Sequence, residues 1–272
     1  MARKKGVKMF LDNLSKSLND QGFVVLRGVF DEGLISHLRD ISIQNLEQFG
    51  IKTKHGLILP GASFFSSTIS KFIESEKITE IMDNAFGDSD YSFLGHSDVH
   101  MNNTSFWHKD DGGKGGVGYF GTVPYSHNEC RVYKVGIFLQ DEANGSALTV
   151  KKGSHLSRSL SVGDICHMSS RVGDVFIFDV RITHRSFLPY AHNNDFNNFY
   201  MSKIFRYYKS KIIPYNVHNT RVSDRVSLFF TFGKRNKFSK SFHNTNMERQ
   251  ISQHKKNSVA QVALEQMMRS KL

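Results

Sequence analysis

Two cysteines, four prolines and one tryptophan are all that 272 residues hold of these three types. Two cysteines cannot build the disulfide framework that staples small secreted domains. Scarce proline beside 23 phenylalanines argues against a disordered chain. No apolar run approaches the ~20 residues that a membrane helix needs. The N-terminus is charged and then amphipathic, unlike a signal peptide. A soluble, cytoplasmic protein without a membrane partner is therefore expected. Two enzyme signatures are also missing. There is no HExxH of a hydrolytic zinc helix, and GGKGGVGYFG does not have the P-loop pattern.

Enough apolar residues are present, at 39%, to bury one sizeable core. The net charge of +11 favours anionic partners: nucleic acid, a membrane surface or a small acidic substrate. Part of it sits in ARKKGVK at the start and in HKK and RSK near the end.

The chain reads as one domain, 1–272, in three parts. Residues 1–90 are helical around one strand, FVVLRGVF. Phe10, Leu11, Leu14 and Leu18 mark a first helix, LISHLRDISIQNLEQFG a second and ISKFIESEKITEIMDNAFG a third. From about 91 to 235 the texture changes. VYKVGIFLQD, ALTV, DVFIFDV and RVSLFFTFG are short, rich in Val, Ile and Phe, and separated by turn signals. Such spacing predicts a mainly β sandwich or barrel with flanking helices. Residues 186–220 look like an insertion or lid. The tail predicts a helix over about 247–271, with Ile251, Val259, Val262 and Met267 on its apolar side.

The chemistry-bearing stretch is SFWHKDDG, residues 105–112. His108 and Asp110 are two apart, and on a strand such residues face the same way. Asp111 would point away. A strand-borne histidine, His184, ends GDVFIFDVRITHRS and shares the parity of Phe178, Val180 and Ile182. Two histidines and one carboxylate make the facial triad of non-haem Fe(II) oxygenases. Zinc is the competing metal.

These segments, in this order, resemble the phytanoyl-CoA dioxygenase-like branch of the Fe(II)/2-oxoglutarate-dependent oxygenases. DQGFVVLRGVFDEGLISHLRD is similar to the family's opening segment and WHKDDG to its W-H-x-D. VYKVGIFLQDEANGSALTVKKGSH resembles the run between the ligand segments, and GDVFIFDVRITHRS the distal-histidine strand. The resemblance spans about residues 20–235. It implies a double-stranded β-helix, or jelly roll. It implies Fe(II), with 2-oxoglutarate and O2 as cosubstrates and ascorbate as an optional reductant. Succinate and CO2 leave, and an unactivated C–H bond of a small or carrier-linked molecule is hydroxylated. His108, Asp110 and His184 match the metal ligands. Asp110 argues against halogenation, because halogenating relatives carry a small residue there. The family's cosubstrate arginine follows the distal histidine by about ten residues, but here 193–198 read NNDFNN. Arg225, opening RVSLFFTFG, is the choice, with Arg221 and Arg206 as fallbacks. Ser186 holds the H-x-S position beside the same carboxylate.

Lys134 sits inside an otherwise apolar strand and either meets an anionic ligand or snorkels to water. Arg181 and Arg185 read as scaffold or entrance charges, and His96, His100 and His127 as residues near the pocket or exposed. Two other readings stand beside the oxygenase. One is a cupin-type isomerase or other metalloenzyme on the same barrel. The other is a non-catalytic basic binding module, hinted at by KFSKSFHNTN and FRYYKSK. The expected partner is a small molecule, anionic or carrier-linked, and not nucleic acid.

Overall fold

The computed structural model describes residues 14–53, 55–113, 116–141, 148–186 and 224–254. Helix α1 (Leu14–Gln21) buries Leu14 and Leu18 and stops at Gly22, whose φ of +83 suits a residue without a Cβ. Phe10 and Leu11 lie outside the described residues. Strand β1 (Phe23–Leu26) and helix α2 (Glu32–Phe49) follow, the latter capped by the Asp31 carboxylate, which accepts from the Leu34 N–H. The N-terminal part then holds more strand than the sequence suggests. β2 (Ile51–Thr53) and β3 (Gly56–Pro60) form a hairpin, and a single turn, α3 (Ala62–Phe65), comes next. The expected third helix is two, α4 (Ser67–Ile73) and α5 (Glu76–Phe86). The break is at Ser75, which takes an extended conformation and starts the second helix.

The remaining strands are β4 (Tyr91–Met101), β5 (Ser105–His108), β6 (Val132–Phe138), β7 (Leu148–Lys152), β8 (Asp164–Met168), β9 (Val175–Asp179), β10 (His184–Ser186) and β11 (Val226–Lys234). A seven-stranded sheet runs β1-β9-β6-β11-β4-β3-β2, and a four-stranded sheet runs β5-β10-β7-β8. Every strand pairing described is antiparallel. This is the two-sheet architecture expected of a jelly roll.

Alternation along the strands builds two core layers. Val175 and Ile177 pack with the helices against the outer face of the large sheet. Phe176 and Phe178 turn inward and meet Leu148, Val150 and Met168 between the sheets. The same parity sends Lys134 of β6 and His96, Asp98 and His100 of β4 inward, because their neighbours Val135 and Val99 belong to the outer layer.

Two expectations about strands need correction. GDVFIFDVRITHRS is two strands in different sheets. The first ends at Asp179, and the chain turns as the Ile182 N–H reaches the Asp179 carbonyl. It then enters the small sheet, where the Thr183 carbonyl accepts from Lys151 N–H. Every residue from Val175 to His184 is buried, so the turn leaves no polar signature in the sequence. Likewise β5 ends at His108, and Asp110 lies beyond it with its N–H on the Val180 carbonyl at 2.8 Å.

Helix α6 (Lys237–Gln253) starts about ten residues before the expected 247. Asn236 caps it, accepting from the Phe238 and Ser239 N–H groups. KFSKSFHNTN is thus helix, and along α6 Phe238, Phe242 and Met247 are buried and Ile251 is half-buried. Val259, Val262 and Met267 lie outside the described residues, as does the 186–220 segment after Ser186.

Candidate metal centre

His108 and His184 are register partners across β5 and β10. Asp110, carried past the end of β5 and tied to Val180, joins them. One ligand atom from each of the three lies within 4.8 Å of the others. His108 Nε2 is 3.5 Å from Asp110 Oδ1, and His184 Nε2 is 3.3 Å from Oδ2.

The backbone fixes the imidazole tautomers. His108 Nδ1 is 2.7 Å from the Phe106 carbonyl, and His184 Nδ1 is 3.1 Å from the Ile182 carbonyl. A carbonyl only accepts, so each Nδ1 carries a hydrogen and each Nε2 is the nitrogen turned toward Asp110, able to ligate an ion once unprotonated. Two imidazole Nε2 atoms therefore face one carboxylate, and a cation between them, metal or proton, stabilises the arrangement. Burial opposes charge on His108, but Asp110 beside it outweighs burial and raises its value. Burial and the neighbouring His108 keep the buried His184 below its ordinary value. Burial would raise Asp110, but Lys134 and His184 beside it outweigh that and hold it well below the usual carboxylate range. The donor set, two nitrogens and one carboxylate oxygen, fits Fe(II) or a related divalent ion.

Asp111 points away, as expected. It is buried, accepts from Gly113 N–H and from the Tyr125 hydroxyl at 2.7 Å, and so shapes the glycine-rich turn. Arg181 is scaffold: it forks onto Asp179 at 2.9 and 2.7 Å within the sheet crossing. His127 lies on the ring of Phe238, away from the centre.

The triad opens onto a cavity that also holds Lys134, Phe178, Ser186, Arg225 and Ser227. Arg225 and Ser186 thus share one cavity with the three candidate ligands, whereas Arg206 and Arg221 lie outside the described residues. Arg225 is held at both ends. Its N–H donates to the Asn102 side chain at 2.8 Å, and its guanidinium donates to the Asn103 carbonyl. Asn102 in turn adopts φ +53, a left-handed conformation that asparagine tolerates better than most residues. Nothing in the sequence singles out Asn102. Lys134 was legible as an anomaly, but its partner was not: Nζ donates to Asp110 Oδ2 at 2.6 Å.

A second H-x-D lies twelve residues earlier. On β4, Asp98 Oδ2 is 3.2 Å from His96 Nε2 and 3.3 Å from the Arg249 guanidinium of α6, with His100 Nε2 at 4.0 Å. Here a guanidinium already supplies the cation. Only His108, Asp110 and His184 group as a three-ligand cluster among the described residues.

No protein-family model matches the chain, and no curated protein does. Solved structures do. The non-haem 2-oxoglutarate-dependent epimerase SnoN of nogalamycin biosynthesis is similar over 84% of this chain and 83% of its own, with a TM-score of 0.60 at 14% identity. The carbocyclase SnoK of the same biosynthesis covers 81% and 82%, with a TM-score of 0.57 at 15% identity. HygX from Streptomyces hygroscopicus, with nickel and 2-oxoglutarate bound, covers 82% and 87%, with a TM-score of 0.55 at 12% identity. At these identities the likeness establishes the fold: a jelly roll shared with iron- and 2-oxoglutarate-dependent enzymes.

Proposed function

We propose that the chain is an Fe(II)- and 2-oxoglutarate-dependent enzyme that oxidises an unactivated C–H bond of a small or carrier-linked molecule, with hydroxylation as its outcome. One observation carries the reading. Two imidazoles, each held at Nδ1 by a backbone carbonyl, and one carboxylate converge within 4.8 Å, in a cavity that also holds an arginine.

His108, Asp110 and His184 would hold the metal, the ligand set used by iron centres that also bind cosubstrate and oxygen. Arg225 takes the far carboxylate of 2-oxoglutarate, for which a guanidinium fork is suited, and the Ser186 hydroxyl adds a donor. Bound together, iron and 2-oxoglutarate supply a C–H oxidant as the cosubstrate is decarboxylated to succinate. The chain's part is to orient the reactants and exclude water, and Phe138, Leu148, Phe178 and Phe229 provide apolar walls. SnoN has been crystallised with nogalamycin RO, and HygX with hygromycin B. A small-molecule substrate for this chain accords with that. SnoN is an epimerase and SnoK a carbocyclase. Hydroxylation rests instead on the resemblance of WHKDDG and its companion segments.

Anaerobic titration of the metal-free protein with Fe(II) and 2-oxoglutarate tests the reading without a substrate. The expected result is a weak visible charge-transfer band that needs both components and disappears in His184→Ala. Iron binding without the band would favour the cupin-type isomerase, and no binding would refute a metal centre.

A further inference from the structure

Lys134 is an odd neighbour for a metal ligand. It sits mid-strand on β6 with its side chain 12% exposed, and Asp110 Oδ2 is 2.6 Å away. Its cross-strand partners are Phe178 on β9 and Thr231 on β11, and the Phe229 ring centroid is 5.9 Å from Nζ. Asp110 is the one hydrogen-bond acceptor that Lys134 has among the described residues. The ammonium thus lies on one oxygen of the carboxylate that a divalent ion would use, inside a cavity that also holds Arg225.

Charge governs the loading of such a centre. A divalent ion arriving alone meets Lys134 across a shared carboxylate, in surroundings where screening is weak. A dianion arriving with the ion compensates both. We propose, on the basis of the iron and 2-oxoglutarate reading, that Lys134 is a positioning residue that couples metal loading to cosubstrate loading. It discourages a metal ion without its dicarboxylate and favours the pair. It also occupies Oδ2, which leaves Oδ1 as the oxygen that Asp110 would offer a metal. Coupling of this kind is reciprocal: whatever the dicarboxylate adds to metal affinity, the metal adds to dicarboxylate affinity.

The test uses Mn(II) as a redox-stable probe, with binding followed by loss of the free Mn(II) electron paramagnetic resonance signal. Dissociation constants are measured with and without 2-oxoglutarate for the wild type, Lys134→Met, Lys134→Gln and Lys134→Arg. Lys134→Gln drops the charge but retains an N–H donor, on a side chain one bond shorter, and Lys134→Met drops both, so agreement between them separates the proposal from a structural role. For both neutral variants the expected result is Mn(II) alone bound about tenfold more tightly, and a coupling ratio at least about tenfold smaller. Lys134→Arg restores both. Lys134→Met takes the ammonium away from the half-buried Asp110, so thermal melts with and without Mn(II) accompany it. A larger metal-induced rise in melting temperature than in the wild type supports the proposal.

Neutral variants that keep the wild-type coupling ratio, or bind Mn(II) more weakly while folded, overturn it and leave the metal centre standing. Wild-type protein that does not bind Mn(II), or whose binding survives His184→Ala, overturns the proposal and the underlying reading together.

Discussion

His108 and His184, distant in the chain, stand opposite each other on adjacent strands with ring centroids 4.2 Å apart. The β5–β10 ladder holds them there, and a backbone carbonyl fixes each ring. The pair is preorganised, so little side-chain freedom is left to lose on binding an ion.

Removing either ring should therefore cost metal affinity directly. Altering a residue that merely orients a ligand typically costs 10–100-fold, so His184→Ala should weaken Mn(II) binding by at least about 100-fold. Asp111→Ala, outside the triad, should leave that constant within about threefold of the wild type and lower the melting temperature through the loss of its bond to Tyr125. Equal losses of metal affinity in both variants would contradict the assignment of Asp110 over Asp111.

Arg225→Ala should act on the cosubstrate. Truncating one member of a buried charge pair costs ~2–5 kcal/mol, so half-saturation by 2-oxoglutarate should rise at least about 30-fold. Mn(II) affinity without 2-oxoglutarate should barely move. If Arg206→Ala or Arg221→Ala raises that demand while Arg225→Ala does not, the carboxylate lies elsewhere.

Acid should destabilise the fold through histidines other than the ligands. Burial pushes His100 down to about 4 and also lowers His96, whereas an unfolded histidine titrates near ~6.5. Between these values the unfolded chain takes a proton that the folded chain refuses, so stability falls as pH drops from about 6.5 to about 4. Asp98 contributes with a different window. Burial opposes its charge, but His96 and Arg249 hold it well below the usual range. Its contribution is present above the unfolded carboxylate value and is lost only as pH falls below that. Urea midpoints from pH 7.5 to 4.5 should show the histidine-linked fall, with a shallower slope in His100→Gln. A midpoint that is flat in the wild type would rule out the linkage.

Helix α6 should depend on Arg249. Its guanidinium reaches Asp98 on β4, and Gln250 and His243 donate to the Gly95 and Leu94 carbonyls of the same strand. Arg249→Met strands a buried carboxylate, and such losses reach ~3–5 kcal/mol. Arg249 is about a quarter exposed, so a cost nearer ~2 kcal/mol is expected after screening. Adding Asp98→Asn should recover most of it, and a double-mutant cycle with no coupling energy would show that the pair does not dock the helix.

The legible strands were those with an unbroken apolar outer face. β6, β9 and β11 present Tyr133, Val135, Ile137, Val175, Ile177, Val226, Leu228 and Phe230 to the helix layer, and their inner faces add Phe138, Phe176, Phe178 and Phe229 among smaller or polar residues, so they read plainly. β4 did not, because its inward face carries His96, Asp98 and His100, which look like a polar loop until Arg249 is seen over them. The crossing at residues 180–183 was hidden for the opposite reason. Val180 and Ile182 continue the apolar pattern, and the charge of Arg181 is matched by Asp179 two residues earlier. α6 was misplaced because Ser239, Asn246 and Gln250 are polar yet buried. The triad could be proposed from spacing and resemblance, but neither Asn102 behind Arg225 nor the contact of Lys134 with Asp110 can be, since both depend on register between distant strands.

The crossing at Val180 gives the centre one more property. Both histidines hang from the small sheet, Lys134 comes from the large one, and Asp110 is pinned to the chain as it passes between them. The centre is thus a gauge of the gap between two layers. Trimming Phe176, which packs in that gap against Phe138, would change the spacing that the gauge reads, so damage to the packing between the sheets would register as a looser grip on metal.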